Sequence, residues 1–230
     1  MSLSNTVKAI QDIMRKDAGV DGDAQRIGQL GWMLFLKIYS DLELETELVE
    51  YDEIILEIWT KQYFELEIEK DPVEALKATF RRHASGVSVI TMLDAAGKPV
   101  GFTATSMTSL GANPPLASFN VACGSSTWPA LEQASYVAIH TLGEGNLALA
   151  QKMAADHTLR FADDDWHEGP YGVPVFPAAT SILIAKIREK HAVASNAVII
   201  VDVVEGLIGE LQPALLYYQR GYVKPGEKLA

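Results

Sequence analysis

The chain has 230 residues, of which 48% are hydrophobic and 21% are charged, and its formal net charge is −11. These values are typical of a folded globular protein with one or two domains, and they argue against an intrinsically disordered chain. Because non-specific nucleic-acid binding requires an excess of lysine and arginine, the acidic balance disfavours nucleic acid as the main partner.

The single cysteine, Cys123, excludes an internal disulfide and a metal site built on several cysteines, as is usual in a reducing cytoplasm. The sequence has no long uncharged apolar run, and it does not begin like a secretory signal peptide. We therefore expect a cytoplasmic protein that does not associate with a membrane.

Residues 1–68 are predicted to form a helical N-terminal extension. Apolar residues recur at three- and four-residue spacing in the stretches 7–14 and 27–38, which indicates two helices. Residues 41–70 are acidic with interleaved apolar residues, a pattern that favours amphipathic helices with a solvated acidic face. No low-complexity linker follows, and we place the start of the second domain at residue 69.

The second domain, residues 69–230, is predicted to begin with a helix at Asp71-Pro72-Val73-Glu74. Asp71 is a favourable N-cap, Pro72 suits the first helical position, and Glu74 suits the third. Val73, Leu76 and Phe80 should give this helix one packed apolar face.

Alternating apolar patterns and turn residues then predict a mainly β domain. Strands are expected at 87–93, 100–105, 116–122, 136–142, 180–187 and 197–204, with short helices at 128–133 and 146–155. Many strands with few crossover helices favour a largely antiparallel barrel.

The stretch from Val100 to Thr127 is the candidate binding region. It is predicted as a strand, a loop rich in threonine and serine that closes at Asn113-Pro114-Pro115, a second strand, and the hydroxyl cluster Gly124-Ser125-Ser126-Thr127. Two such neighbouring loops offer neutral hydroxyls and unblocked backbone N–H groups, which suit an anionic phosphate and a flat polar ring. We expect a cofactor site here.

The loop over 155–176 contains His157, His167 and the run Asp163-Asp164-Asp165. This spacing matches no standard metal site, so a solvated loop and no bound metal are expected. Long irregular loops in compact domains are often lids over a site.

Three motifs in this order resemble the flavin reductase family: Gly101 to Ser109, Asn113 to Leu116, and Cys123 to Pro129. The family pattern is G-x-T-A-x-S-x-T-S, then D-P-P-L, then a Ser-Ser-Thr cluster. The resemblance covers residues 71–222, and it implies an α+β fold built on a split β-barrel, usually in a homodimer. The family includes reductase components of two-component monooxygenases.

The resemblance implies an NAD(P)H-dependent flavin reductase that transfers hydride from NADH or NADPH to FMN or FAD and supplies reduced flavin to a monooxygenase. It implies that the edge of the flavin ring is lined by Thr103, Ala104, Thr105 and Ser106. It implies that the ribityl chain and phosphate are bound by Ser109, Ser125, Ser126 and Thr127, and that Cys123 borders the pocket. Thr127 has an alternative role as the N-cap of the following helix. Phe161, Trp166 and Gly169 resemble a segment that partly covers the flavin.

The family often carries Gly-Asp-His before its late strand, where this chain has Ala194-Ser195-Asn196. Asn196 is therefore the candidate catalytic position. Its amide can donate a hydrogen bond but cannot carry a proton as imidazole does. An alternative hypothesis is therefore a flavin-binding module with little turnover.

Residues 1–50 resemble the N-terminal helical region of methylation subunits of type I restriction-modification systems, which helps bind DNA and partner subunits. This favours a third hypothesis, an interaction protein related to such a system. Asn113-Pro114-Pro115-Leu116 also resembles the Asn-Pro-Pro-aromatic motif of adenine methyltransferases, but Leu116 cannot stack on a base. No glycine-rich turn precedes it to bind S-adenosylmethionine, so a methyltransferase is disfavoured.

Overall fold

A computed structural model of the protein describes residues 69–226. The helices predicted within residues 1–68 lie outside the described residues. The division into an extension over 1–68 and a domain over 69–230 stays a prediction.

The described residues form three α-helices and twelve strands. The helices are α1 (Pro72–Arg82), α2 (Trp128–Gln133) and α3 (Leu147–Ala154). The strands are β1 (Ser85–Gly86), β2 (Ser88–Leu93), β3 (Pro99–Ala104), β4 (Thr108–Ala112), β5 (Pro115–Ala122), β6 (Tyr136–Thr141), β7 (His167–Glu168), β8 (Pro174–Val175), β9 (Ser181–Val193), β10 (Asn196–Ile208), β11 (Leu216–Tyr218) and β12 (Gly221–Val223). Single 3-10 turns lie at Glu144–Asn146 and Pro170–Gly172.

Seven strands form one antiparallel sheet in the order β3-β2-β6-β9-β10-β5-β4. Its centre is the hairpin of β9 and β10, whose 13-residue strands pair from Asn196 and Val193 at the turn to Ile208 and Ser181 at the far end. A small sheet pairs β11 with β1 and β12, and β7 pairs with β8. This confirms the predicted mainly β class with flanking helices.

The sheet curls so that β3 contacts β5 although no ladder of backbone hydrogen bonds joins the two strands in the described part of the chain. Phe102 on β3 and Phe119 on β5 pack with their ring centroids 6.2 Å apart. We call this contact the seam. It leaves the barrel closed by side chains on one side.

Strict alternation along the strands builds a core on both faces of the sheet, because successive strand residues point to opposite faces. On β2, Val89 belongs to one buried cluster and Ile90 to the other. The first cluster lies with α3 and the segment around Phe176, and the second includes Leu131 of α2 and Phe119 of β5.

Three expectations need correction. The predicted loop between residues 106 and 115 contains a strand, β4, because Thr108 to Ala112 pairs with β5 through a turn at Asn113-Pro114. The hairpin strands β9 and β10 extend beyond the ranges expected from apolar alternation. The apolar face of α1 is not packed within the described residues: Leu76 is 59% exposed and Phe80 is 64% exposed.

His140 on β6 is a fully buried polar residue that joins three elements. Its Nδ1–H donates to the carbonyl of Val89 (2.9 Å), and its Nε2 accepts from the backbone N–H of Phe176 (3.1 Å). This arrangement requires the neutral ring. Burial lowers the pKa of His140 from 6.5 to about 4, and the bond to Val89 opposes the shift only in part.

The lowered pKa predicts an acid-dependent loss of stability. Below pH 6.5 His140 binds a proton in the unfolded chain, whereas in the folded chain it stays neutral until about pH 4. The free energy of unfolding therefore falls by about 3 kcal/mol between pH 6.5 and pH 4. Urea unfolding of the His140→Gln variant should show a lower free energy at pH 7 but lack this part of the slope. The exposed His167→Gln variant should keep the slope of the unaltered chain; equal slopes in all three proteins would contradict the assignment.

Candidate functional site

A cavity of about 290 Å³ opens where β3 and β5 end at the seam. Its lining comes from the end of β3, the end of β5, the segment that follows β5, and one residue of the loop after α3. These residues are Phe102, Thr103, Ala104, Thr105, Ser106, Asn120, Val121, Ala122, Ser125, Ser126, Thr127 and Arg160. Seven of the nine predicted cofactor-binding residues therefore line one cavity.

Ser106 explains why the barrel opens here. Thr108 pairs with Ser118, so Ser106, two residues earlier, lies opposite Asn120, two residues later. The Ser106 hydroxyl accepts from the N–H of Asn120 (2.9 Å) and donates to its carbonyl (3.4 Å). A side chain takes the place of the backbone ladder, and the strand ends remain apart.

The segment Ser125 to Thr127 presents backbone and hydroxyl donors to the cavity. The N–H of Ser125 donates to the carbonyl of Ala122, but those of Ser126 and Thr127 meet no acceptor among the described residues. The hydroxyls of Ser125 and Thr127 lie 3.0 Å apart. Consecutive free N–H groups with adjacent hydroxyls suit an anion.

Thr127 does precede α2, but its side chain makes no capping hydrogen bond there. The alternative role of Thr127 as a side-chain N-cap is therefore wrong. The residue is only 2% exposed, and its hydroxyl is turned toward Ser125.

The hydroxyl of Thr103 donates its hydrogen within the protein and so cannot donate it to a ligand. It donates to the carbonyl of Ala150 in α3 (2.8 Å) and so fixes β3 to that helix. Thr103 therefore contributes backbone groups and its remaining acceptor capacity to the cavity. Ala104 next to it is 6% exposed and leaves room because its side chain is small.

Arg160 is the charged residue among the five cavity residues that the sequence reasoning missed. Its guanidinium donates to the carbonyl of Gly101 (2.7 Å) and twice to that of Ala155 (2.9 and 3.2 Å). Burial lowers the pKa of Arg160, which Asp156 opposes, but an arginine stays protonated at neutral pH. A basic residue in an otherwise acidic loop was the signal available in the sequence.

Ser109 and Cys123 do not line the cavity. Ser109 lies on β4 and is exposed, whereas Cys123 is half-buried and packs against the core cluster that contains Phe119. The carbonyl of Ser195 accepts from the N–H of Cys123 (2.9 Å), which brings the turn between β9 and β10 beside the cavity. A role for these two residues in flavin binding stays a prediction.

Asn196 is the first residue of β10 and pairs with Ala122, which lines the cavity. Its side chain is exposed, and within the described residues its only hydrogen bond is to the Ser195 hydroxyl (3.4 Å). Asn196 itself is not among the residues that line the cavity, so the candidate catalytic position lies one strand away from the lining residue Ala122. His191 is an exposed residue of β9, and its ring nitrogen lies 2.6 Å from a carboxylate oxygen of Glu189.

The loop expected to cover the flavin places its aromatic residues elsewhere. Phe161 packs against Trp166 (5.7 Å between centroids) and Phe176, and both Phe161 and Trp166 contact the core cluster around α3. Arg160, immediately before Phe161, is the loop residue that reaches the cavity. The aromatic pair thus anchors the loop.

Between residues 69 and 226, no group of three or more histidine, cysteine or acidic side chains is placed to hold a metal ion. No helix in that same part of the chain has the length and apolar character needed to cross a membrane.

Comparison with known proteins bears on the described domain. The sequence pattern of the "Flavin reductase like domain" family matches residues 80–226. An NADH:FMN oxidoreductase of Rhodococcus qingshengii is 39% identical over 159 residues, which cover 65% of this chain and 80% of the relative. A crystal structure of a flavin reductase domain protein from Arthrobacter is 42% identical and superposes with a TM-score of 0.65, covering 68% of this chain and 97% of that one.

A more distant solved structure is nitrilotriacetate monooxygenase component B from Mycobacterium thermoresistibile, which is 25% identical with a TM-score of 0.61 and covers 66% of this chain and 89% of that one. The fold shared with these flavin reductase structures confirms the predicted split barrel.

A separate match accords with the predicted resemblance of residues 1–50. The methylase subunit of a type I restriction enzyme of Escherichia coli is 65% identical over 52 residues. The match covers 23% of this chain but 11% of that subunit, so it is a partial likeness.

The hydroxyl bridge at the seam gives a direct prediction. Ser106→Ala removes both bonds to Asn120 and should lower the free energy of unfolding by about 1 kcal/mol. Ser109→Ala, an exposed serine without a side-chain hydrogen bond in the described structure, should change it by less than about 0.5 kcal/mol. Urea unfolding measures both values, and equal losses would show that the bridge does not stabilise the seam.

Proposed function

Because the chain belongs to the flavin reductase-like family, we propose that it is an NAD(P)H-dependent flavin reductase, which transfers hydride from a nicotinamide cofactor to FMN or FAD. The observation that carries the proposal is the cavity at the seam. It brings the first and third family motifs together, the second forms the turn between β4 and β5, and a permanent cation from a loop distant in sequence completes the cavity.

The lining fits a flavin. No carboxylate of residues 69–226 lines the cavity, so an anionic phosphate meets no like charge from this part of the chain. Free N–H groups and hydroxyls at Ser126 and Thr127, together with the guanidinium of Arg160, offer donors to phosphate and to carbonyl oxygens. Phe102 adds an apolar wall for a flat ring.

When bound, the flavin supplies the hydride chemistry, and the protein supplies position and electrostatics. The backbone from Thr103 to Ser106 is held on one side by the Thr103 bond to α3 and on the other by the Ser106 bridge to β5. A flavin ring bound against this segment would have a defined orientation toward the nicotinamide, because the segment is fixed at both ends, and this would reduce the entropy lost in reaching a reactive geometry. The described lining residues include no acidic side chain beside Arg160, so its cation stabilises any negative charge that increases in the cavity.

Asn196 occupies the position where the family often has histidine, and the amide can orient a ligand but cannot relay a proton. Proton exchange then depends on solvent, which the exposed position of Asn196 permits. The role of Asn196 is thus positioning of the nicotinamide or the flavin edge.

The proposal extends to assembly and location. A homodimer is supported by the family resemblance and by exposed apolar side chains on the main sheet, Leu110 on β4, Val193 on β9 and Ile208 on β10. A monooxygenase that receives reduced flavin is supported by the similarity to component B of a monooxygenase. A cytoplasmic location is supported by the single cysteine.

Steady-state oxidation of NADH and NADPH, with FMN or FAD as acceptor, tests the function. The purified chain should oxidise at least one of the two nucleotides in a flavin-dependent manner and show saturation in both substrates. Tight flavin binding without nucleotide oxidation would instead support the flavin-binding module. Neither binding nor oxidation would contradict the proposal.

Arg160 gives a residue-level prediction. Arg160→Gln removes the one charged side chain among the described residues that line the cavity and should weaken FMN binding about tenfold, because a charge-assisted hydrogen bond is lost. Riboflavin, which lacks the phosphate, should lose much less affinity. Fluorescence titration with both flavins makes the comparison, and Lys98→Gln in the exposed turn between β2 and β3 is the matched control for charge.

If Arg160 acts only by fixing the loop to Gly101, both flavins will lose affinity equally. That result would contradict a direct contact with the phosphate.

A further inference from the structure

A groove continues from the candidate cavity toward α1 and the hairpin of β11 and β12. The neighbouring cavity, about 450 Å³, shares Thr105 and Ser106 with the candidate cavity. A third, about 350 Å³, shares Phe80 and His83 with the second. A fourth, about 370 Å³, shares Arg220 with the third. The four cavities adjoin one another in series through these shared residues, and the first of them is the proposed flavin site.

The far end of this groove is a cluster of three arginines, which we call the arginine cluster: Arg81, Arg82 and Arg220. Among residues 69–226, no acidic side chain lines any of the three added cavities, and no carboxylate pairs with any of the three guanidinium groups. Arg82 donates to the carbonyl of Ala78 in its own helix (2.9 Å) and keeps further donors free. In a chain of net charge −11, such a concentration of unpaired positive charge attracts anions.

The helix accounts for only part of this cluster. Arg81 and Arg82 lie in the last turn of α1, where cations interact favourably with the helix dipole. Arg220, however, comes from the turn between β11 and β12, and the backbone N–H of Gln219 donates to the carbonyl of Arg81 (3.2 Å) to hold that turn against the helix. Gln219 and Arg220 both have positive φ values, 48° and 65°, which glycine or asparagine would adopt more easily.

Aromatic side chains lie between the arginine cluster and the flavin site. Phe80 is 64% exposed, and the ring of His83 approaches it edge-on with centroids 6.1 Å apart. Tyr217 and Tyr218 line the same cavity. An exposed aromatic surface next to arginine offers both stacking for a nucleobase and hydrogen bonds for phosphate.

We propose that this groove binds the adenosine diphosphate part of a dinucleotide, with the phosphates at the arginine cluster and the adenine against Phe80. The inference rests on the proposed function, because FAD and the nicotinamide cofactor both carry this group and both must reach the flavin site. The proposal adds a second section to the substrate site, at the arginine cluster and Phe80, which lie outside the three family motifs.

Binding of ADP alone tests the groove without flavin or turnover. Isothermal titration of the full chain at low ionic strength should detect ADP binding, which weakens as salt rises. Arg220→Gln and Arg81→Gln should each weaken it about tenfold, because each removes charge-assisted hydrogen bonds. Lys98→Gln removes the same charge from an exposed turn elsewhere and should leave ADP binding unchanged.

Steady-state kinetics of the same variants identify which dinucleotide uses the groove. A rise in KM for FAD, with that for FMN unchanged, assigns the groove to the flavin substrate. A rise in KM for NADH or NADPH with either flavin assigns it to the nicotinamide cofactor. Either result supports the proposal.

Three results would overturn it. The first is no ADP binding by the unaltered chain, and the second is equal ADP binding by the unaltered chain and Arg220→Gln. The third is an equal rise in KM for FMN and FAD, which would place the flavin's own phosphate at the arginine cluster. Flavin-dependent NAD(P)H oxidation by the unaltered chain reports on the proposed function separately. A chain that reduces FMN normally but fails the ADP test would retain its function and lose only the adenosine diphosphate site.

Discussion

The structure depends on how the barrel closes between β3 and β5. Every other neighbouring pair in the main sheet is joined by a backbone ladder, whereas the seam is joined by Phe102 against Phe119 and by the hydroxyl of Ser106 on the backbone of Asn120. Backbone groups in a folded protein need partners, and a continuous ladder here would use them all. Replacing the ladder with one side chain keeps the strand ends apart, and the candidate cavity occupies the resulting space. The absence of a backbone ladder between β3 and β5 therefore leaves the space that the candidate cavity occupies.

The electrostatics of the domain follow from the same arrangement. The chain is acidic overall, yet the described residues that line the cavity and the groove beyond it include arginines and neutral donors but no carboxylate. Arg160 reaches the cavity because Phe161 anchors its loop in the core, and Arg220 reaches α1 because Gln219 bonds to Arg81. Local positive potential in an acidic protein favours phosphorylated ligands over general polyanion binding, which agrees with a nucleotide-dependent reductase.

Much of this fold could be predicted from sequence because alternation and turn chemistry act locally. The turn between β2 and β3 is an example, since the carboxylate of Asp94 accepts from the N–H groups of Ala96 and Lys98, two and four residues later. Strand β4 was missed because its threonine, serine and glycine residues resemble a loop, and only pairing with β5 makes them a strand. Arg160 was missed because it lies far in sequence from the other residues that line the cavity. The arginine cluster was missed because it joins Arg220 to Arg81 and Arg82, which are far from it in sequence. Thr103 was predicted as a cofactor-binding residue, but the bond from its hydroxyl to α3 could not be predicted because it depends on tertiary packing.

The central claim is that flavin binds at the seam. Hydrogen–deuterium exchange of the backbone, measured with and without saturating FMN, tests this claim directly. The account predicts slower exchange in peptides that cover residues 102–106 and 120–127, with little change at the turn between β2 and β3. Protection confined to other parts of the chain, or none at all at saturating FMN, would contradict it.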